Sequence, residues 1–161
     1  MLIGVVAIAA SIAFYVFAFG PNDEQRIRYE VTRLGTAVSF AEPPQNPLTA
    51  LGHMTGELTD LFDEEVSIHV PELPAIPTRR TEVARTWVEA SRGWKKASVS
   101  FEDVVVKLDD AKRTATVTAN AKLDGTTIDG TRHEERRAVN LQFLKRDTSW
   151  RITSIHVWPK S

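Results

Sequence analysis

The amino terminus carries the feature that most constrains this chain, an uninterrupted apolar segment. Residues 2–19 contain no charged side chain, and Gly4, Ser11 and Tyr15 are the only positions that are neither aliphatic nor phenylalanine. A helix needs about 17–25 mainly apolar residues to cross a bilayer. Aromatic residues crowd the downstream end, where their rings favour the headgroup region. The sequence therefore predicts a single transmembrane anchor over residues 1–21.

Two other interpretations of this segment are weaker. A cleaved signal peptide is disfavoured because no Lys or Arg precedes the run, the run exceeds a usual hydrophobic region, and Pro21 directly follows the small residue Gly20. A buried core helix is disfavoured because a globular helix normally has a polar face. The anchor interpretation leaves residues 22–161 as one domain.

Two features of the sequence give opposite indications of the orientation of the anchor in the membrane. The segment has no basic residue upstream, whereas Arg26, Arg28 and Arg33 follow it, and the positive-inside rule then favours a cytoplasmic domain. A segment that begins at residue 2 and precedes the whole domain is most often inserted with its amino terminus in the cytoplasm. We expect a single-pass membrane protein, and we favour the extracytoplasmic side for the domain.

Composition excludes several function classes. The 20 basic and 21 acidic residues are interspersed, which leaves no basic footprint for nucleic acid. The absence of cysteine excludes disulfides, thiolate metal sites and cysteine nucleophiles. The sequence also has no phosphate-binding glycine loop and no Gly-x-Ser-x-Gly elbow. We therefore expect no nucleic-acid partner, no cofactor and no metal.

Helical signals occupy the first part of the domain. Asn22 and Gln25 have the spacing of a capping box, and Asn46 followed by Pro47 is typical of a helix start. Apolar residues then recur every three or four positions. This spacing predicts three helices, at 23–40, 46–62 and 79–93.

Beyond Lys96 the apolar pattern alternates, as strands require. Four long strands are predicted, around Val99, Ala115, Val139 and Trp150, and a short strand, Val66–Val70, lies between the second and third helices. The second long strand could end at Asp124-Gly125 or at Asp129-Gly130. Because short turns make consecutive strands antiparallel, we expect an α+β fold in which three helices pack on a bent antiparallel sheet.

Two segments carry a family resemblance. Residues Leu61–Val66 (LFDEEV) at a helix-to-strand junction and Phe143–Ile152 (FLKRDTSWRI) at the last hairpin resemble the nuclear transport factor 2-like (NTF2-like, SnoaL-like, cystatin-like cone) superfamily. The resemblance covers about residues 22–158. It implies a cone whose mouth can hold a small apolar ligand. Members include ketosteroid isomerases, dehydratases, epoxide hydrolases and non-catalytic modules, and many form homodimers through the sheet.

The resemblance also suggests where a catalytic group would lie. It aligns His69 with the acid that isomerase-like members carry on the short strand, and a histidine can act as a general base near neutral pH. It places the companion acid near Val139, which cannot donate a proton. If the protein is an enzyme, His69 is its candidate acid–base group, assisted by Asn140 or His156. Because no acidic side chain is identified as a catalytic partner of His69, the favoured interpretation is that His69 is a partly solvated histidine at the cone rim.

One charged segment suggests a metal site but does not fit one. Residues His133–Arg137 (HEERR) lack the second histidine that a helical zinc motif requires. On a strand, alternate members of this segment lie on opposite faces. We therefore predict that the segment forms cross-strand charge pairs. His53 carries no discriminating signal.

Two functions remain open from the sequence. The anchor favours a non-catalytic, membrane-tethered interaction or assembly module, similar to the cone-shaped domains that follow single anchors in bacterial secretion components and Mce-associated proteins. Its partner would be a second copy or another protein of a membrane complex. The alternative is small-molecule binding, or a SnoaL-like isomerase, hydrolase or dehydratase that uses the cone cavity.

Overall fold

The computed structural model describes residues 22–74, 76 and 78–160. The elements in chain order are α1 (Asp23–Val38), α2 (Pro47–Leu61), β1 (Phe62–His69), α3 (Arg80–Ser91), β2 (Trp94–Leu108), β3 (Thr114–Thr127), β4 (Arg132–Arg146) and β5 (Ser149–Val157). The predicted anchor, residues 2–19 of the 1–21 segment, lies outside the described residues. No helix in the described part of the chain is long and apolar enough to cross a bilayer.

The predicted capping signals account for the first two helix starts. The Asn22 side chain accepts from the Gln25 backbone N–H at 2.8 Å, and the Gln25 side chain accepts from the Asn22 N–H, which completes the capping box. Asn46 accepts from two backbone N–H groups at the start of α2. All three predicted helices exist. The first ends two residues early because Phe40 instead pairs with the backbone of Ala97.

The expected all-antiparallel sheet is wrong in one respect, because the sheet is mixed. Its strand order is β1-β5-β4-β3-β2, and three short turns join β2 through β5 as antiparallel neighbours. β1 runs parallel to β5 at the opposite edge from β2. The short-turn argument does not apply to β1, since α3 separates β1 from β2 and carries the chain across the sheet.

The start of β1 differs from the prediction, and the end of β3 decides between the two predicted ends of that strand. β1 begins at Phe62 rather than Val66, because α2 passes directly into it. β3 continues through Gly125, and the chain turns at Asp129-Gly130, where Gly130 has a φ of 91°. Gly125 is instead a packing position, since a Cβ there would lie 2.7 Å from the Trp94 ring.

The sheet has one face in the core and one face turned away from the helices. The core face carries buried apolar side chains, among them Val117, Leu141 and Ile152, which pack with Ile27, Val31 and Leu58 of the helices. Side chains at alternate positions lie on the opposite face. We call this the outer face; it carries Ser67, His69, Glu102, Val105, Lys107, Thr116, Thr118, Asn120, Lys122, Asp124, Glu134, Arg136, Asn140, Gln142, Ser154 and His156.

Candidate functional site

The strand register brings the three predicted site residues together. His69 of β1 lies directly opposite His156 of β5, and His156 lies opposite Asn140 of β4. The two imidazole rings stack with centroids 4.7 Å apart and planes 19° apart. Trp158 packs with its ring centroid 4.5 Å from that of His156. The same row continues through Thr118 to Val105 at the other edge.

This row lies on the outer face and does not line the interior of the cone. His69 is exposed, and His156 and Asn140 are half-buried, whereas their strand neighbour Leu141 is fully buried on the core face. The Gln142 side chain donates to Asn140 at 2.9 Å and accepts from Thr116 at 3.0 Å. These contacts order the row as a polar surface. They give no support to acid–base chemistry inside the cone by His69.

The position at which the resemblance implies a companion acid belongs to the apolar core. Val139 is 4% exposed, and in the sheet it lies between Ala119 and Val157. Residues around it on the core face are apolar and pack against the helices. A proton donor at this place would require a different side chain.

Charged groups of the core face lie where β4 extends past the end of β5. Arg137 binds both carboxylate oxygens of Glu72 at 2.7 Å and also contacts Glu135. The hydrogen bond from Arg137 lowers the pKa of Glu72. His133 packs with its ring centroid 5.3 Å from that of Trp94. Together these residues form a charged cluster at the end of the core face, beside the apolar core.

The predicted charge pairing of the His133–Arg137 segment is confirmed. On the outer face, Glu134 pairs with Lys122 at 3.6 Å and Arg136 pairs with Glu102 at 2.7 Å. Sequence reasoning missed Glu72 as the partner of Arg137. Glu72 lies in the Pro-rich loop 65 positions earlier, so no spacing rule connects the two residues. Among the described residues, no group of three or more metal-ligating side chains could hold an ion.

A separate cleft of about 710 Å³ lies between α1 and α2. Phe40 and Trp87 meet edge to face at 5.8 Å and form part of its lining. Arg33, His53 and Glu57 also line the cleft, and Arg33 binds Glu57 at 3.2 Å. His53 is thus a surface residue of this cleft, away from the row on the outer face.

Comparisons with known proteins agree with this architecture. No curated protein matches the sequence. An NTF2-like superfamily protein from Salmonella enterica serovar Typhimurium shares the fold with a TM-score of 0.67 at 14% sequence identity, over 85% of this chain and 90% of that one. A candidate dehydratase of the NTF2-like family from Streptomyces avermitilis has a TM-score of 0.65 at 15% identity, over 86% of this chain and 97% of that one. Hexachlorocyclohexane dehydrochlorinase LinA-type3 from Novosphingobium barchaimii has a TM-score of 0.65 at 10% identity, over 84% of each chain.

At these identities the three structures show a shared fold and carry no statement about activity. A family model for the SnoaL-like domain matches residues 55–157, from the middle of α2 to the end of β5. That span contains the whole sheet and α3. The sequence match shows that this chain belongs to the SnoaL-like domain family, and its cone of three helices on a mixed sheet is the fold of the NTF2-like structure above.

Proposed function

We propose that this protein is a non-catalytic, membrane-tethered assembly module that pairs with a second copy of itself through the outer face. The observation that carries the proposal is the distribution of charge on that face. Its central row, from His69 through Thr118 to Val105, contains no acidic, lysine or arginine side chain. Val105 is a large apolar residue that is nevertheless 50% exposed.

Charges of both signs flank the uncharged row, with Lys107 on one side and the others on the opposite side. They are Glu102, Lys107, Lys122, Asp124, Glu134 and Arg136. Protein interfaces have the same organisation, with a charge-depleted, aromatic-enriched centre and a polar rim. His69, His156 and Trp158 supply the aromatic part of the centre. Because the rim carries both signs, this face is able to complement its own charges across a two-fold axis.

The area of the outer face suits a second copy. Five strands about 4.8 Å apart give a width of about 24 Å, and about ten residues of strand extend about 33 Å. The face therefore offers on the order of 800 Å², which is the area each partner contributes to a standard stable interface. This agreement supports a homodimer as the occupant.

The tether follows from the apolar run at residues 2–19. α1 begins at Asp23 and is capped by Asn22, so few residues separate the run from the folded domain. A membrane-spanning run would hold the domain close to the bilayer, and we place that domain on the extracytoplasmic side. Confinement to a membrane raises the local concentration of the second copy, so that even a weak interface between the two copies would form.

The core face gives further support to a non-catalytic role. The positions that the resemblance assigns to an acid–base pair are occupied by Val139 in the core and by His69 on the outer face. An enzyme of the cone needs both groups near one reacting position. These two side chains lie on opposite faces of the sheet.

Sedimentation of the full chain in detergent micelles tests self-association. We expect wild type to sediment as a dimer and Val105→Glu as a monomer, because the variant places a charge in the uncharged row. The matched control is Leu48→Glu, since Leu48 lies on α2 and is 80% exposed. This control should remain dimeric. A monomeric wild type, or a Val105→Glu protein that stays dimeric, contradicts the proposal.

The second candidate function is small-molecule chemistry at the charged cluster of the core face. The observation in its favour is the Arg137–Glu72–Glu135 group on the core face. Structural relatives include a hexachlorocyclohexane dehydrochlorinase. Chloride release from hexachlorocyclohexane, lost in Arg137→Met, would favour this candidate. We expect no release from either protein.

A further inference from the structure

The cleft of about 710 Å³ between α1 and α2 is a separate candidate ligand site. Its lining comes from the three helices and from the linker between α1 and α2, and among the residues that the structure describes it includes none of the outer face. Its volume lies in the range of about 300–1,000 Å³ that small-molecule sites occupy. A ligand in the cleft would therefore bind without competing with a second copy of the chain.

Two aromatic side chains form part of the lining, Phe40 from the linker and Trp87 from α3. Their rings meet edge to face with centroids 5.8 Å apart. Both residues are half-buried, so a ligand is able to reach them. The Trp87 indole N–H donates to the backbone oxygen of Val38 at 3.3 Å, which leaves the ring without an unpaired donor. Together the two rings offer an apolar surface on which flat molecules pack well.

The linker that carries Phe40 is held in place on both sides of that residue. The Phe40 backbone exchanges two hydrogen bonds with Ala97 of β2, at 2.8 and 3.0 Å. Pro43 and Pro44 restrict the backbone that follows, and Asn46 caps α2. These contacts preform the cleft, and a preformed site loses less conformational freedom when it binds a ligand.

Short side chains leave space beside the two rings. Ala37 of α1 and Ala50 of α2 both line the cleft, and both are half-buried. The side chain of alanine is a single methyl group, which fills little of a space of about 710 Å³. A large side chain at Ala50 would therefore occupy the space that a ligand needs.

The charged side chains that line the cleft compensate each other. They are Arg33 of α1 and Glu57 of α2, which form an ion pair at 3.2 Å. Asp60 also binds Arg33, at 3.1 Å. His53, the other titratable residue of the lining, is exposed to water. A charged ligand would leave water without an unpaired opposite charge to receive it, which is costly, and a neutral ligand avoids this cost.

We infer that this cleft binds a small, flat, neutral apolar molecule, which packs against Phe40 and Trp87 and fills the space beside Ala50. The aromatic residues select for a ring. The ion pair between Arg33 and Glu57 selects against charge on the ligand.

Indole, indole-3-acetate and tryptamine are the probes for this inference, because they share one ring system and are neutral, negative and positive at neutral pH. The full chain is placed in phosphatidylcholine nanodiscs and labelled with ¹⁵N at tryptophan. Each probe is titrated while the Trp87 indole signal, which Trp87→Phe assigns, is followed by NMR. The concentration of free probe is measured in an ultrafiltrate, so that uptake of a probe by lipid does not alter the comparison.

We expect indole to shift the Trp87 signal saturably, with a dissociation constant in the millimolar range, and both charged probes to bind about tenfold more weakly. Ala50→Phe should abolish the indole shift because it fills the cleft. The matched control is Ala111→Phe, which changes an exposed alanine in the turn between β2 and β3 and should leave indole binding unchanged.

A second variant keeps the test decisive if Ala50→Phe does not fold. Phe40→Leu retains an apolar side chain but removes the ring, and it should weaken indole by about two- to tenfold. A Trp87 signal that indole leaves unmoved overturns the inference. A charged probe that binds as tightly as indole also overturns it, as does a folded Ala50→Phe or Phe40→Leu protein that binds indole like wild type.

Discussion

At the scale of single residues, Gly35 shows how closely α1 approaches the sheet. A Cβ at Gly35 would lie 2.7 Å from the backbone oxygen of Val99, whereas a Cβ at Gly52 of α2 would have no atom within 4 Å. We expect Gly35→Ala to lower the free energy of unfolding by about 1–3 kcal/mol through overpacking. Gly52→Ala should raise it by about 0.5–1 kcal/mol, since alanine is the better helix former.

Urea denaturation of the two variants measures this difference. Both changes add one methyl group to a helical glycine, so the two variants differ only in the atoms that surround that methyl group. Equal effects of the two substitutions would show that α1 does not pack against β2 as described.

Glu30 makes a second prediction at this scale, with a definite sign. Burial raises its folded-state pKa, so the charged form of Glu30 opposes folding at neutral pH, and this cost disappears as pH falls below the unfolded pKa of about 4.3. Glu30→Gln should therefore be more stable than wild type at pH 7, and the difference should shrink toward pH 4. Thermal unfolding across that range checks this. A variant less stable than wild type at pH 7 contradicts it.

Single residues also show what the sequence could predict about the candidate site. The alternation in His133–Arg137 was enough to predict charge pairs, because a strand fixes which side chains share a face. The stacking of His69 on His156 was not predictable. Those residues lie on strands 87 positions apart, and only the register of a parallel pair brings them together.

At the scale of elements, hydrogen bonds join the first helix, α1, to the last hairpin, β4–β5. Asp23 accepts hydrogen bonds at 3.0 Å from Lys145 of β4 and from Trp150 of β5. Burial alone would raise the pKa of Asp23, but these hydrogen bonds and the charges of Lys145 and Arg26 outweigh it, and the net pKa is lowered. The ionised carboxylate thus stabilises the contact between α1 and the hairpin.

Replacing Asp23 tests this contact. A lowered folded-state pKa gives stability that is present above the unfolded pKa of about 3.9 and lost as pH falls through the folded value. We expect Asp23→Asn to lose about 1–3 kcal/mol at pH 7, because the charge-assisted hydrogen bonds weaken. Its stability should also depend less on pH below about 4.

The matched control is Glu24→Gln, which removes the neighbouring acid of the same helix turn. Glu24 forms an exposed pair with Arg28 and should contribute at most about 0.5 kcal/mol. Chemical denaturation at pH 7 and pH 3 compares the three proteins. Similar losses of unfolding free energy in both variants would mean that Asp23 contributes only its negative charge and that its hydrogen bonds to Lys145 and Trp150 add nothing.

Most elements were predictable because local signals determine them. The capping residues Asn22 and Asn46 start α1 and α2, and alternation predicts the four long strands. The position of β1 was not predictable from such signals. Its pairing with β5 depends on how the chain crosses the sheet after α3, and the five-residue pattern of Val66–Val70 contains no information on direction.

At the scale of the whole molecule, we expect the folded domain to be independent of the proposed tether, the apolar run at residues 2–19. The described residues from 22 onward contain their own apolar core, so residues 22–161 should fold without lipid. We expect deletion of residues 1–20 to release the protein from membranes into the soluble fraction, with circular dichroism of a folded α+β domain. A truncated protein that still sediments with membranes would show that the apolar run is not the tether.

Self-association of this protein through the outer face is the central claim, and cysteine cross-linking in intact membranes tests it most directly. The chain has no cysteine, so one introduced thiol reports on one position. Thr118 lies in the central row of the outer face. Thr86, which is also an exposed threonine but lies on α3, is the matched control. With a short thiol-specific cross-linker, we expect covalent dimers from Thr118→Cys and none from Thr86→Cys. Dimers from Thr86→Cys alone, or none from either protein, would contradict the claim.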